Sequence, residues 1–333
     1  MPHLEAVTNH NTARKQHLAE GELDVNDSAM LKNFVAKRAT RRRFMTQTGL
    51  AGLGALSLSQ LNGFNRVAAA AQGENAEITD GNILNFALNL EYLEAEYYLR
   101  AAFGRGLADS DVTGSGPLGP VIGGRPVQFQ SEVIRQYAFE IAEDEEAHVR
   151  FIRMALNGTQ VARPTIDIEN SFTAAAIAAG IIGPGETFDP YANENNFLLG
   201  AFIFEDVGVT AYKGAARFIE NKDILEAAAG LLAIEAYHAG EIRTVLYGRD
   251  QMNPGLGIAG IVQQISDLRD AVDGPDDLDQ GIVDARGRAN VVPADANGLA
   301  FSRNTNQVLS ILYLGGRAGN FGFFPDRVNG EIR

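Results

Sequence analysis

The sequence predicts an all-α protein: a four-helix bundle with a long crossover and a C-terminal extension rich in glycine and aromatic residues. Three observations predict it. Four long segments carry apolar side chains on a helical period. After residue 71 only two histidines remain, and each lies three places after a glutamate, as Glu145/His148 and Glu235/His238. On a helix such positions share a face, so each Glu-x-x-His aims a carboxylate and an imidazole at one point. The other two segments share a Glu-x6-Tyr spacing, Glu91 to Tyr98 and Glu205 to Tyr212. The chain thus has an internal symmetry pairing its first helix with its third and its second with its fourth.

Residues 1–71 read as a leader. Thr40-Arg41-Arg42-Arg43-Phe44-Met45 precedes an uncharged stretch from Thr46 to Asn65, and Val67-Ala68-Ala69-Ala70-Ala71 follows as a small-residue cleavage site. Paired arginines, a modest apolar segment and small residues describe a secretory signal, and this one resembles a twin-arginine signal. The apolar stretch is too short and too diluted by Gly, Ser and Gln to span a bilayer. The lead ahead of the arginines is long, and Met30 is an alternative start to Met1. A mature chain beginning near Gln72, in the periplasm or outside the cell, is the expectation.

Residues 72–249 hold the bundle. The first helix is expected over Asp80 to Phe103, followed by a Gly/Pro-rich loop to Pro126. The second runs from Ser131 to Leu156 and stops at Asn157-Gly158. A crossover from Thr159 to Asn193 contains one small Ala-rich piece, Ser171 to Ala179. The third helix spans Glu194 to Glu220. The fourth spans Asp223 to Tyr247, ended by Gly248, and the tight junction between these two makes a hairpin. Residues 250–333 form the extension. A short helix is expected over Ile261 to Val272, then a Gly/Pro/Asp/Asn-rich stretch, then a tail whose aromatic density marks it as packed on the bundle.

Composition narrows the function. Residues 1–71 carry nine bases and five acids, leaving 19 bases against 37 acids in the remainder. So acidic a body repels phosphate backbones and anionic lipid, which excludes nucleic acid and argues against stable membrane insertion. There is no cysteine, so a metal would be held by oxygen and imidazole, which suits iron, manganese or zinc. Four buried glutamates without a cation would cost many kcal/mol or take up protons, and a metal pair is the simplest compensation. Glu91, Glu145, His148, Glu205, Glu235 and His238 are the candidate ligands for two iron or two manganese ions. Glu94, one turn from Glu91, is the rival or an additional ligand. Asp144 resembles the aspartate that orients an imidazole in Asp-Glu-x-x-His di-iron motifs, and a solvated helix-face acid is the alternative reading. Glu146 is read as a surface partner of Arg150. Tyr98 and Tyr212 are candidate redox-active or hydrogen-bonding groups. Gly208 within the third helix opens space for an oxidant or lets helices approach closely.

Asn89-Leu90-Glu91-Tyr92-Leu93-Glu94-Ala95-Glu96-Tyr97-Tyr98, with the two Glu-x-x-His pairs and Glu205, resembles the ferritin-like superfamily. The segments Ala300-Phe301-Ser302-Arg303 and Gly322-Phe323-Phe324-Pro325 are similar to its desiccation-related branch. The resemblance implies a dinuclear carboxylate centre acting on dioxygen, peroxide or ferrous ion, as ferroxidase, oxidase or catalase-like enzyme, in oxidative or desiccation stress. The alternative is a non-catalytic metal-binding or structural stress-protective protein. The expected partners are a small oxidant or a metal ion. A homo-oligomer is left open, while a hollow storage cage is disfavoured by the long crossover and tail.

Overall fold

The computed structural model describes residues 78–316 and 322–333. The expected leader, with Arg41, Arg42 and Met30, lies outside the described residues. Helix α1 is Asp80–Phe103, α2 is Glu132–Leu156, α3 is Asn170–Ala178, α4 is Glu194–Ala216, α5 is Lys222–Met252, α6 is Ile258–Asp273 and α7 is Thr305–Leu312. Local chemistry sets their ends. The side chains of Thr79, Ser131, Asn193 and Asn221 accept from backbone N–H groups of the first turns of α1, α2, α4 and α5. Helix α1 ends at Gly104 and α2 at Asn157, both in the left-handed region, with φ of 69° and 46°.

Helix α1 packs along α2, and α4 along α5, and the four form the bundle. Helices α1 and α4 are buried around most of their circumference, because the crossover and the extension cover their outer faces. On α1, Asn89 and Asn329 exchange hydrogen bonds of 2.9 and 3.0 Å, and the Tyr92 hydroxyl reaches the Val161 carbonyl. On α4, the Arg303 N–H donates to the Thr210 carbonyl at 3.0 Å. Gly214 allows that approach, since a Cβ there would lie 1.9 Å from the Arg303 carbonyl oxygen. Three arginines buried to within 2% of full coverage, Arg243, Arg269 and Arg303, interlock with Asp206, Asp273 and Asp279 between bundle and extension.

The structure departs from the sequence expectations at several ends. Helix α5 runs past Gly248 to Met252, because Gly248 is helical and Arg249 reaches Glu194 at the start of α4, 2.8 Å away. Helix α4 stops at Ala216 instead of Glu220. There the N–H groups of Glu220 and Asn221 donate to the Asp80 carboxylate, pinning the junction to the start of α1. Helix α6 begins three residues early, at Ile258. A short parallel strand pair, β1 (Val121–Ile122) with β2 (Ile166–Asp167), ties together two segments that read as loops, and α7 lies in the tail. Among the described residues, no helix is long and apolar enough to cross a membrane.

Candidate metal centre

The four long helices send Glu91 from α1, Glu145 and His148 from α2, Glu205 from α4, and Glu235 and His238 from α5 to one buried place. Each is at most 7% exposed. Two ligand groups result, each with its atoms mutually within 4.8 Å: Glu91, Glu145, His148 and Glu235 in one, and Glu145, Glu205 and His238 in the other. Glu145 belongs to both. Its Oε2 lies 3.4 Å from His148 Nδ1 and its Oε1 3.1 Å from His238 Nδ1. The imidazole rings face each other across it with centroids 6.2 Å apart. His148 Nδ1 is also 3.2 Å from Glu91, and His238 Nδ1 is 3.5 Å from Glu205.

The groups are close, yet few are satisfied. Both Glu145 oxygens, both Glu235 oxygens, Glu205 Oε2 and His238 Nδ1 are buried without an aligned hydrogen bond. Buried carboxylates are ordinarily fully paired, so this many orphaned donor atoms facing one another fits a pair of cations better than it fits a packed core. The donor set, carboxylate oxygens with one imidazole per group, suits iron or manganese.

Around these six the structure places the other candidates. The Tyr98 hydroxyl donates to Glu205 and the Tyr212 hydroxyl to Glu91, so the repeated Glu-x6-Tyr is used crosswise between α1 and α4. Asp144 Oδ2 lies 3.2 Å from His238 Nε2, so it orients the imidazole on the opposite helix instead of its own. Its counterpart before Glu235 is Ile234, so the two halves are not equivalent. Glu94 is buried but falls in neither ligand group; Glu91 is the α1 carboxylate that meets His148. Glu146 pairs with Arg150 at 2.9 Å as expected, but it is buried and is also held by Arg105 at 2.9 Å. Gly208 is explained by Glu235, whose Oε2 would lie 2.1 Å from a Cβ at that position, with a Glu94 oxygen at 3.5 Å.

Electrostatics follow from putting five carboxylates and two imidazoles out of water. Burial, reinforced by the Glu145 charge against the pull of His148, pushes Glu91 up to about 7. Burial and neighbouring glutamates raise Glu94 and Glu235 well above the carboxylate range, and burial raises Glu205. Burial would lower His148, but Glu91 and Glu145 outweigh it and push it up to about 12; His238 is raised in the same way, chiefly by Glu205 and Asp144. Burial would raise Glu145, yet its two imidazole neighbours hold it below its usual range. Without a cation, protons supply the positive charge. Burial and the adjacent glutamates keep Tyr98 and Tyr212 protonated, so both phenols remain donors.

A bundle whose four helices each bring a glutamate to one buried point, two of them with a histidine a turn away, defines a carboxylate–histidine class of helical bundle. The model of the ferritin-like domain family matches residues 79–248, and the chain belongs to that family. It is 34% identical over 249 residues to the desiccation-related protein PCC13-62 of Craterostigma plantagineum, covering 69% of this chain and 76% of that one. It is 26% identical over 273 residues to the ferritin-like catalase Nec2 of Nesocodon mauritianus, covering 76% of this chain and 84% of that one. No solved structure gives a significant match.

Proposed function

We propose that this chain is a dinuclear iron or manganese protein that consumes peroxide, with ferrous ion or dioxygen as related reactants, and that it acts outside the cytoplasm after export by its twin-arginine-type leader. The observation that carries the reading is the set of orphaned, mutually facing donor atoms on Glu145, Glu205, Glu235 and His238. Glu91, Glu145, His148 and Glu235 would hold one ion, and Glu145, Glu205 and His238 the other. When bound, the pair supplies two-electron redox chemistry toward a small oxidant.

The chain's own residues set the terms of that chemistry. Tyr98 and Tyr212 fix the rotamers of Glu205 and Glu91 by donating to them, and Asp144 fixes the ring of His238. Glu94, buried beside Gly208 and close in charge to Glu235, is placed to hold a proton next to the ligands without being one. The apolar walls of α1 and α4 exclude bulk water, which strengthens each of these interactions. The relative named a catalase supports peroxide as the reactant.

The test is reconstitution of metal-free protein with iron or with manganese, then metal analysis and peroxide and ferrous-ion assays. About two ions per chain are expected, and fewer than about half an ion would refute the centre. His238→Ala should abolish peroxide consumption while circular dichroism shows the helices intact. The more similar relative is named for desiccation, not catalysis, and this favours one second reading, a metal-binding protective protein. Fully loaded protein that leaves both reactants untouched would establish that alternative. Export is tested separately: Arg41→Lys with Arg42→Lys should trap the precursor, and unchanged export through the general secretion route refutes the leader.

A further inference from the structure

The two halves of the centre differ in what lies behind their tyrosines. Tyr98 abuts Tyr97, ring centroids 5.2 Å apart, and Tyr97 abuts Tyr191, 5.7 Å apart. These contacts of Tyr98 have no counterpart at Tyr212 among the described residues. All three rings are buried, Tyr191 at 3% exposure. Their hydroxyls have different fates. Tyr98 donates to the ligand Glu205, Tyr97 donates to the Phe197 carbonyl at 2.8 Å, and the Tyr191 hydroxyl is buried with no partner. Packing does not explain them. Phenylalanines already fill the same cluster at positions 172, 197 and 204. A phenylalanine at 191 would avoid the cost of an unmet buried hydroxyl. Gly200 also makes room specifically for the Tyr97 hydroxyl, which would lie 2.4 Å from a Cβ there.

Tyr191 lines a pocket of about 380 Å³, with Gly124, Arg125, Asn170, Phe188 and Asp189 among its walls. The pocket holds ionic and amide groups beside two aromatic side chains, Phe188 and Tyr191, and its size suits a single-ring molecule. Arg125 braces it by pairing with Asp189 and donating to the Tyr191 carbonyl at 3.1 Å.

We propose that Tyr98, Tyr97 and Tyr191 form an electron path between the centre and this pocket, and that the pocket takes a small hydroxylated aromatic reductant of the phenol or hydroquinone class. The inference rests on the peroxide reading above and extends it to a peroxidase mode. One hydrogen peroxide accepts two electrons and two protons, its O–O bond breaks, and two waters form. Two donor molecules each lose one electron and one hydroxyl proton and leave as phenoxyl radicals. Within the protein an electron leaves Tyr98 for the centre while its proton moves along the hydrogen bond to Glu205. The pocket donor refills Tyr98 through the Tyr191 and Tyr97 rings, the proton on Glu205 returning to the Tyr98 oxygen. Tyr97 donates to a carbonyl, which is no base, so it is a bridge and not a stop. Tyr191 has no base beside its hydroxyl and is a bridge in the same way. Each donor releases its hydroxyl proton to the solvent of the pocket, and the two protons taken up as the peroxide is reduced are drawn from solvent in equal number.

The test uses the full chain loaded with ferrous iron, hydrogen peroxide as oxidant and hydroquinone as reductant, with rapid-freeze EPR and metal content read on every variant. Wild type should show a tyrosyl radical that hydroquinone quenches quickly. Tyr212→Phe should keep the radical, and Tyr98→Phe with its iron retained should lose it. Tyr191→Phe and Tyr97→Leu, remote from the ligands, should keep iron and the Tyr98 radical but slow its quenching by an order of magnitude. Unchanged quenching in both, or iron-loaded wild type that consumes peroxide with no tyrosyl radical, overturns this proposal and leaves the peroxide reading standing. A protein that binds no iron or consumes no peroxide overturns the peroxide reading, and this proposal with it.

Discussion

At Gly208 a single hydrogen in place of a side chain leaves the space that the Glu235 carboxylate fills. Glycine inside a helix costs about 1 kcal/mol relative to alanine, and here that cost leaves room for the Glu235 carboxylate, 2.1 Å from where a methyl would sit. Gly208→Ala should therefore raise helix propensity yet push Glu235 out of place, weakening ion affinity by roughly 10–100-fold, the scale seen when groups supporting a metal ligand are lost. Metal titration beside circular dichroism reads it, and unchanged affinity would show that Glu235 is dispensable. Asp144→Asn should weaken the His238 half more than the other, because the amide can still meet Nε2 but no longer stabilises a positive or metal-bound ring. Equal loss at both ions in a stepwise titration contradicts that. The six central residues were legible because two histidines remained and each carried a glutamate at helical spacing. Glu91 was preferred to Glu94 because its spacing to Tyr98 repeats that of Glu205 to Tyr212, but its contact with His148 comes from the neighbouring helix and has no local signal. The crosswise use of Tyr98 and Tyr212 was hidden for the same reason.

Between the helices, the extension is held by a network that sequence could not reveal. Arg243, Arg269 and Arg303 come from α5, α6 and the stretch before α7, and their aspartates lie 10 to 63 residues away, so no helical spacing marks them. Asp206 follows the candidate ligand Glu205, which makes the network a brace for α4 at the centre. A buried charge stripped of its partner is strongly destabilising, so Arg303→Ala should lower the unfolding free energy by about 3–5 kcal/mol. Chemical denaturation measures it, and a change within the noise would mean the extension contributes nothing to the bundle. The long helices were readable from periodicity and caps, down to the ends at Phe103 and Leu156. The misread ends of α4 and α5 have tertiary causes: the ion pair from Arg249 to Glu194 carries α5 past Gly248, and the Asp80 carboxylate takes the N–H groups that follow the early end of α4. The strand pair β1–β2 escaped notice because two-residue strands have no period to detect.

For the molecule as a whole, protons and metal ions compete for the same buried groups, and this makes stability depend on pH and metal together. Glu91, pushed from its ordinary 4.5 up to about 7, binds its proton more tightly folded than unfolded. Its contribution is fully present below the ordinary value and is lost as pH rises through about 7. Glu94, Glu205 and Glu235 are shifted in the same direction, so the metal-free chain should weaken across the range from weakly acidic to neutral. Ion binding runs the other way, because the protonated ligands must give up their protons first, including the imidazolium of His148. Affinity therefore rises with pH, and the ion replaces charge that protons supplied. With free ion 100-fold above its Kd, the folded state should gain about 2.7 kcal/mol. The gain should be larger at pH 8 than at pH 5 at the same ion concentration. Denaturant unfolding with manganese and with chelator at both values reads the increment, and calorimetry in two buffers of different ionisation heat reads the protons released. An increment equal at both pH values, or uptake that releases no protons, would mean that the ions bind somewhere other than this centre.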